Sequence, residues 1–255
     1  MHTVDTIMSK LATFRVHIAP LGFEVDRIVI PLKETKADKL WLLVHENKSE
    51  DKSGPYLEKI KKQCKKLGVK LEISYADRLS IFKVIRAVKE IISKEENNYI
   101  YVNVASGSKI QAIACMMACM VLKECKNVQP FYAEPKKYAA FNGEQQSFGI
   151  KDTIPLPTYE MQTPKPKLLQ ALKIVHQAKN QKITKKEMAE IAEEQEIITI
   201  NSEEGNHSQA RFASLDKNII QPLVDEWNFV EVEKIGRNRW IKITQDGLDA
   251  AEFLI

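Results

Sequence analysis

The sequence predicts a doubly wound, mostly parallel α/β sheet of the Rossmann-like kind, followed by a smaller winged helix-turn-helix domain. Three observations carry this reading: β-type runs alternate with amphipathic stretches of helix length as far as Ala133; four of the chain's ten prolines, Pro155, Pro157, Pro164 and Pro166, fall within a dozen residues; and beyond them the order is three helices, a hairpin and a last helix. Alternation on this scale gives parallel strands joined by right-handed crossovers, with helices on both faces. A proline cluster makes a stiff, extended linker. At 255 residues the chain is long enough for two domains. The expected division is 1–154, a linker at 155–166, and 167–255.

The first β-type run is 15–20, and residues 24–36 after it place Val25, Ile28, Val29 and Leu32 at helical spacing. The alternation continues with strand 40–45, helix 56–67, strand 69–75, helix 79–93, strand 99–105, helix 109–122 and strand 128–133. Beyond Ala133 two short strands, 138–141 and 146–150, are expected about a turn at Asn142 and Gly143, a strong local hairpin signal.

In the last third, Leu168, Leu169, Leu172, Ile174 and Val175 line a first helix. Thr184 through Glu187 is a capping box that opens a second, with Met188, Ile191 and Ala192 facing inward. A third spans 208–224 with Phe212, Leu215, Ile219 and Leu223 as its stripe. Residues 229–235 and 239–243 then form a hairpin turning at Gly236, Arg237 and Asn238, and Thr244 caps a final helix through Phe253. The connector 195–206 fits none of these elements.

Composition excludes several classes. The net charge of +4 is too small to announce nucleic-acid binding, so any basic surface is local. No apolar run reaches the roughly 20 residues of a membrane span, and no signal peptide is visible, so a cytoplasmic protein with no membrane partner is expected. Cys64, Cys115, Cys119 and Cys125 read as reduced core residues, because no second Cys or His pair completes a tetrahedral site beside Cys115 and Cys119. No metal or cofactor is expected. Neither the P-loop spacing nor the Gly-x-Gly-x-x-Gly fingerprint occurs, which removes support for ATP hydrolysis and NAD chemistry.

Open α/β sheets bind ligands beyond the carboxyl ends of the strands, where the strand order reverses. Two loops fall at that place in a 3-2-1-4-5 sheet. Pro20, Leu21, Gly22 and Phe23 follow the first strand, and Asn103, Ser106, Gly107, Ser108 and Lys109 lie on the loop that leaves the fourth strand and opens a helix. Small residues, hydroxyls and a lysine at a helix start suit an anion, although Ser and Gly there also serve as an ordinary cap and turn. Glu24 and Arg27, one helical turn apart, read either as part of this site or as a local ion pair. Through residue 162 the chain has 25 basic and 19 acidic residues, a balance that suits an anionic ligand.

These residues resemble a known family. His17-Ile18-Ala19-Pro20-Leu21-Gly22-Phe23-Glu24-Val25-Asp26-Arg27 is similar to the first-strand segment of archaeal CARF-type winged-helix regulators, and Asn103 to Lys109 resembles their Asn-x-Ser-Gly-Gly-Thr-Lys-like motif, with Ala105 and Ser108 where Ser and Thr are frequent. The resemblance implies a homodimer that binds a cyclic oligoadenylate made during CRISPR interference. By that resemblance Ser106, Gly107, Ser108 and Lys109 face ligand phosphates or ribose, Gly22 and Phe23 face a base or sugar, and Asn103 either joins them or fixes the loop. Some members slowly cleave their ligand, and Lys109 with Ser106 could stabilise charge at phosphorus. No histidine sits in either loop, which points to binding rather than catalysis.

For the winged helix the expected partner is double-stranded DNA. His207, Ser208, Gln209 and Arg211 lie on the third helix where a major groove would meet them, Lys185 and Lys186 open the second helix, and Arg237, Asn238 and Arg239 form a basic hairpin tip. From Thr163 onward, however, 13 basic residues face 15 acidic ones, so a protein-contact role for this domain is the competing expectation.

Overall fold

A computed structural model describes residues 13–122, 127–139, 145–200 and 206–255. The chain divides into two compact units between Met161 and Gln162. The predicted turn at Asn142 and Gly143, Cys125 and part of the 195–206 connector lie outside the described residues.

The first unit is a six-stranded sheet: β1 (Arg15–Pro20), β2 (Lys39–His45), β3 (Lys70–Ala76), β4 (Tyr99–Asn103), β5 (Val128–Tyr138) and β6 (Ser147–Pro155). Its order is β3-β2-β1-β4-β5-β6, parallel throughout except for β6. Four helices cross over between the parallel strands: α1 (Asp26–Glu34), α2 (Gly54–Leu67), α3 (Ile81–Lys94) and α4 (Lys109–Val121). The strand order reverses between β1 and β4, which is where two adjacent loops diverge. Ile18, Leu40, Leu42, Ile100 and Val102 are fully buried between the helical layers.

Two details depart from the sequence reading. Of the short strand expected at 138–141, residues 140 and 141 lie outside the described residues, and Tyr138 ends β5, which pairs antiparallel with β6 across a bulge at Glu134 and Pro135. A proline cannot donate to a ladder, so it sits at the irregularity. The linker expected from residue 155 begins one residue later, because Pro155 still pairs with Phe131 at the end of β6. Residues 156–165 have no regular structure.

The second unit holds α5 (Pro166–Gln177), β7 (Lys182–Thr184), α6 (Lys185–Glu194), α7 (His207–Leu215), the hairpin β8 (Val230–Ile235) and β9 (Asn238–Ile243), and α8 (Gln245–Leu254). The order β7-β9-β8 is antiparallel, so the three-residue strand β7, too short to announce itself in sequence, forms one sheet edge. Leu172, Val175, Met188, Leu215, Ile219, Leu223 and Ile241 form one core. Beyond Leu215 the third helix continues as two π-helical stretches, Asp216–Ile220 and Pro222–Glu226. Pro222 has no N–H to give the carbonyl four residues back and its ring crowds that carbonyl, so the backbone widens to i→i+5 bonds.

Candidate functional site

The two loops at the switch point meet backbone to backbone. A methyl group added at Gly22 would stand 2.9 Å from Cα and N of Gly107, and one at Gly107 would stand 2.5 Å from Cβ of Pro20. Gly107 also has φ +78°, a left-handed conformation that side chains with a Cβ disfavour. Each glycine is therefore required by the other loop. Ser106 Oγ donates to Pro20 O at 2.9 Å and ties them further.

Asn103 is buried and fully engaged. Pro31 lies inside α1 and cannot donate to Arg27 O. That carbonyl accepts instead from Asn103 Nδ2 at 2.8 Å, while Asn103 Oδ1 accepts from the N–H of Ala105 at 2.8 Å. The second loop is thus anchored to α1. Ser108 and Gln111 form a reciprocal capping box, with Ser108 N–H donating to Gln111 Oε1 at 2.9 Å and Gln111 N–H to Ser108 Oγ at 3.2 Å.

The nine expected ligand residues fall into two groups. Pro20, Leu21, Asn103 and Ser106 are buried, and the hydroxyl of Ser106 and the amide of Asn103 bind protein atoms, so these two support the loop. Gly22, Phe23, Gly107, Ser108 and Lys109 reach the surface. Among the described residues, the N–H groups of Gly107, Lys109 and Ile110 have no acceptor and Lys109 has no acidic partner. Open backbone donors and a lysine at the start of α4 are the residue chemistry that an anion would need here.

Glu24 and Arg27 form a buried bridge, not a surface pair: each side chain is 7% exposed, and Arg27 Nη1 lies 3.2 Å from both Glu24 carboxylate oxygens. Arg27 Nε donates to Ala133 O at 2.9 Å, Ser147 Oγ donates to Glu24 Oε1 at 3.1 Å, and the guanidinium lies 4.9 Å from the Tyr132 ring centroid. Gly149 N–H donates to Asp26 Oδ2 and Gln146 N–H to Phe23 O. The first loop and α1 are thereby clamped to the β5–β6 hairpin. Spacing alone could not reveal this, because an i,i+3 pair looks the same buried or exposed.

Below the loops, His17 packs between Tyr101 and Phe131 and bonds Thr35 Oγ1 at 2.8 Å. The Thr35 hydroxyl donates to Pro31 O, so His17 Nε2 carries the proton in that bond. Burial lowers the His17 pKa to about 3. Burial raises the thiols of Cys64, to about 11, and of Cys119, to about 12.

In the second unit the expected DNA contacts also divide. Arg237, Asn238 and Arg239 are exposed at the hairpin tip, where Gly236 at φ +61° makes the turn. Lys186, Ser208 and Gln209 are exposed as well. Arg211 is not free: its side chain is 19% exposed and Nη1 donates to Glu193 Oε2 at 3.0 Å. His207 lies 2.9 Å from the other Glu193 oxygen, and Lys185 is paired with Asp216. Arg211, His207 and Lys185 thus each lie against an acid, and His207 remains exposed. Glu193 belongs to an acid-rich stretch visible in the sequence, but its pairing with Arg211 and His207 was not legible there.

Residues 15–138 match the family model described as HFX_2341_N:-like, N-terminal, and residues 167–255 match the DUF6293 C-terminal winged helix domain. The uncharacterized protein MJ1513 of Methanocaldococcus jannaschii is 29% identical over 216 residues, covering 74% of this chain and 64% of that protein. Among solved structures, Can2 from Sulfobacillus thermosulfidooxidans in complex with cyclic tetra-adenylate shares 14% identity at a TM-score of 0.41, over 93% of this chain and 63% of that one. Protein VC1899 from Vibrio cholerae shares 10% identity at a TM-score of 0.40, over 93% and 64%. The chain therefore spans just under two thirds of the length of each of these proteins. A Rossmann-like α/β domain followed by a winged helix, the architecture implied by the resemblance to CARF-type regulators, is the architecture of this chain.

Proposed function

We propose that this chain, a CARF-type Rossmann-like domain joined to a winged helix, is a ligand-responsive DNA-binding regulator. Its sensor site would take a cyclic oligoadenylate or a related nucleotide, and its winged helix double-stranded DNA. The observation that carries the reading is the seam between Gly22 and Gly107, which sets open N–H groups and Lys109 at a helix start over the switch point of the sheet. Phe23, half-buried beside Tyr56, offers a ring edge for a base or sugar.

A homodimer fits this reading. Ile110, Ile113, Met117 and Met120 recur on one face of α4, and Ile113 is 53% exposed, an apolar stripe suited to a second copy across a two-fold axis. Binding is favoured over cleavage because the hydroxyl of Ser106 is buried against Pro20 O. Calorimetry with cyclic tetra-adenylate and cyclic hexa-adenylate tests the site. Lys109→Ala should weaken binding about tenfold while leaving the fold intact, since charge-assisted contacts are worth about 1.5–3 kcal/mol. Equal affinities for variant and parent would remove Lys109 from the site.

A further inference from the structure

The winged-helix unit contains a cavity whose lining includes none of the residues proposed to contact DNA. It has a volume of about 640 Å³, within the range of small-molecule sites, and lies between the end of α5, strand β7, helix α6 and the hairpin. Ala178, Ile183, Ile191, Ile235 and the Trp240 ring make its walls. Ile235 is 52% exposed although it stands on a strand, so an apolar wall is left without cover. Asn180 and Gln181 both have φ +55°, an uncommon pair of left-handed residues that turns the rim from α5 into β7.

The charges around the cavity specify what it would hold. Glu187 is lined up at the rim, but its carboxylate accepts from the N–H and hydroxyl of Thr184 at 3.1 and 2.7 Å. Lys182 lies over the Trp240 ring at 5.2 Å and donates to Glu233 at 3.1 Å. Among the described residues, Lys179 has no acidic partner and the Trp240 indole N–H no acceptor. An apolar slot with one uncompensated ammonium and one open N–H is complementary to a flat apolar molecule with a single negative group. We infer that this cavity is a second ligand site, independent of the sensor loops, for an aromatic carboxylate or sulfonate. The ring would lie along Trp240 and Ile191, with its anionic group toward Lys179.

The test is a titration of the full chain with 8-anilinonaphthalene-1-sulfonate, followed by probe emission and by quenching of tryptophan. One saturable site per chain is expected. Lys179→Glu, an exposed change that leaves the core untouched, should weaken the sulfonate about fivefold and leave the neutral analogue N-phenyl-1-naphthylamine unaffected. Trp240→Ala should weaken both probes at least about tenfold, and Ile235→Glu, on the exposed wall, provides the same readout should Trp240→Ala fail to fold. Titrations without saturation, or unchanged in Lys179→Glu and Ile235→Glu, would place the probe on another apolar surface and overturn the site. Equal weakening of charged and neutral probes by Lys179→Glu would overturn the anionic specificity.

Discussion

Replacing Arg237 and Arg239 together by alanine should weaken binding to every duplex and flatten its salt dependence. Both side chains are exposed at the tip of the β8–β9 hairpin, without acidic partners among the described residues. A cation that neutralises one phosphate of a duplex releases about 0.9 of a counterion, so two account for about 1.8 in the slope of log K against log salt. Across a fourfold range, from about 50 to 200 mM, parent affinity should fall about 12-fold more than that of the double variant. Arg211 should behave differently, because its guanidinium must first leave Glu193. Arg211→Ala should change the slope little, whereas Glu193→Gln frees Arg211 and should steepen it by up to about 0.9. Anisotropy titrations of labelled fragments from the region upstream of the protein's own gene, with and without cyclic oligoadenylate, measure all three slopes. An unchanged slope in the double variant would separate the hairpin tip from the DNA backbone. Weaker binding by Glu193→Gln would refute the restraint assigned to that acid. If no fragment binds even at low salt, the winged helix is a protein-contact module.

Three other perturbations test the first unit. Arg27→Met leaves the Glu24 carboxylate buried without its cation and should cost about 3–5 kcal/mol in urea denaturation, most of it restored when Glu24→Gln is added; a cost below about 1 kcal/mol would mean that the bridge is solvated. Below pH 6.5 the unfolded chain protonates His17 while the folded chain resists until about 3, so stability should fall with acidification in that window. The loss is at most about 1.4 kcal/mol per pH unit, and His17→Phe should reduce it, as seen in denaturation midpoints from pH 7 to 4. Gly22→Ala should destabilise by about 1–3 kcal/mol, lowering the thermal midpoint and ligand affinity together, because its methyl group meets the Gly107 backbone. A neutral result there would show that the loops separate freely.

The parallel sheet was legible because β-type runs and amphipathic stretches alternate at regular intervals, and the hairpin tip because Gly236 and two arginines interrupt a β pattern. The long β5 was not, since Pro135 hides a strand that continues through a bulge. Within the sensor loops, residue types pointed to an anion site but could not separate residues facing outward from those holding the loop. Asn103 and Ser106 have the composition of ligand residues and the burial of supports. One visible clue was Pro31: a proline within a helix leaves a carbonyl open, and Asn103 is the side chain that answers it. The pairing of Arg211 was hidden for a related reason. Periodicity places it on the outer face of its helix, but an acid on α6, distant in sequence, decides where its guanidinium rests.

The wide winding between Asp216 and Glu226 has a consequence for length change. Each π turn takes up one residue more than an α turn of similar rise, so this stretch sets the angular phase between the anchored Ile219 and Leu223 and the outward Ser208 and Gln209. Closing one such turn to α geometry with its residues unchanged would rotate the start of α7 by about 100° about its axis, whereas deleting one residue as the turn closes would keep the phase. The first case would turn the outer face sideways by more than a quarter turn without any change to the residues that compose it. Which side chains look outward from this helix is therefore decided near Pro222, more than two turns from the side chains that do the looking.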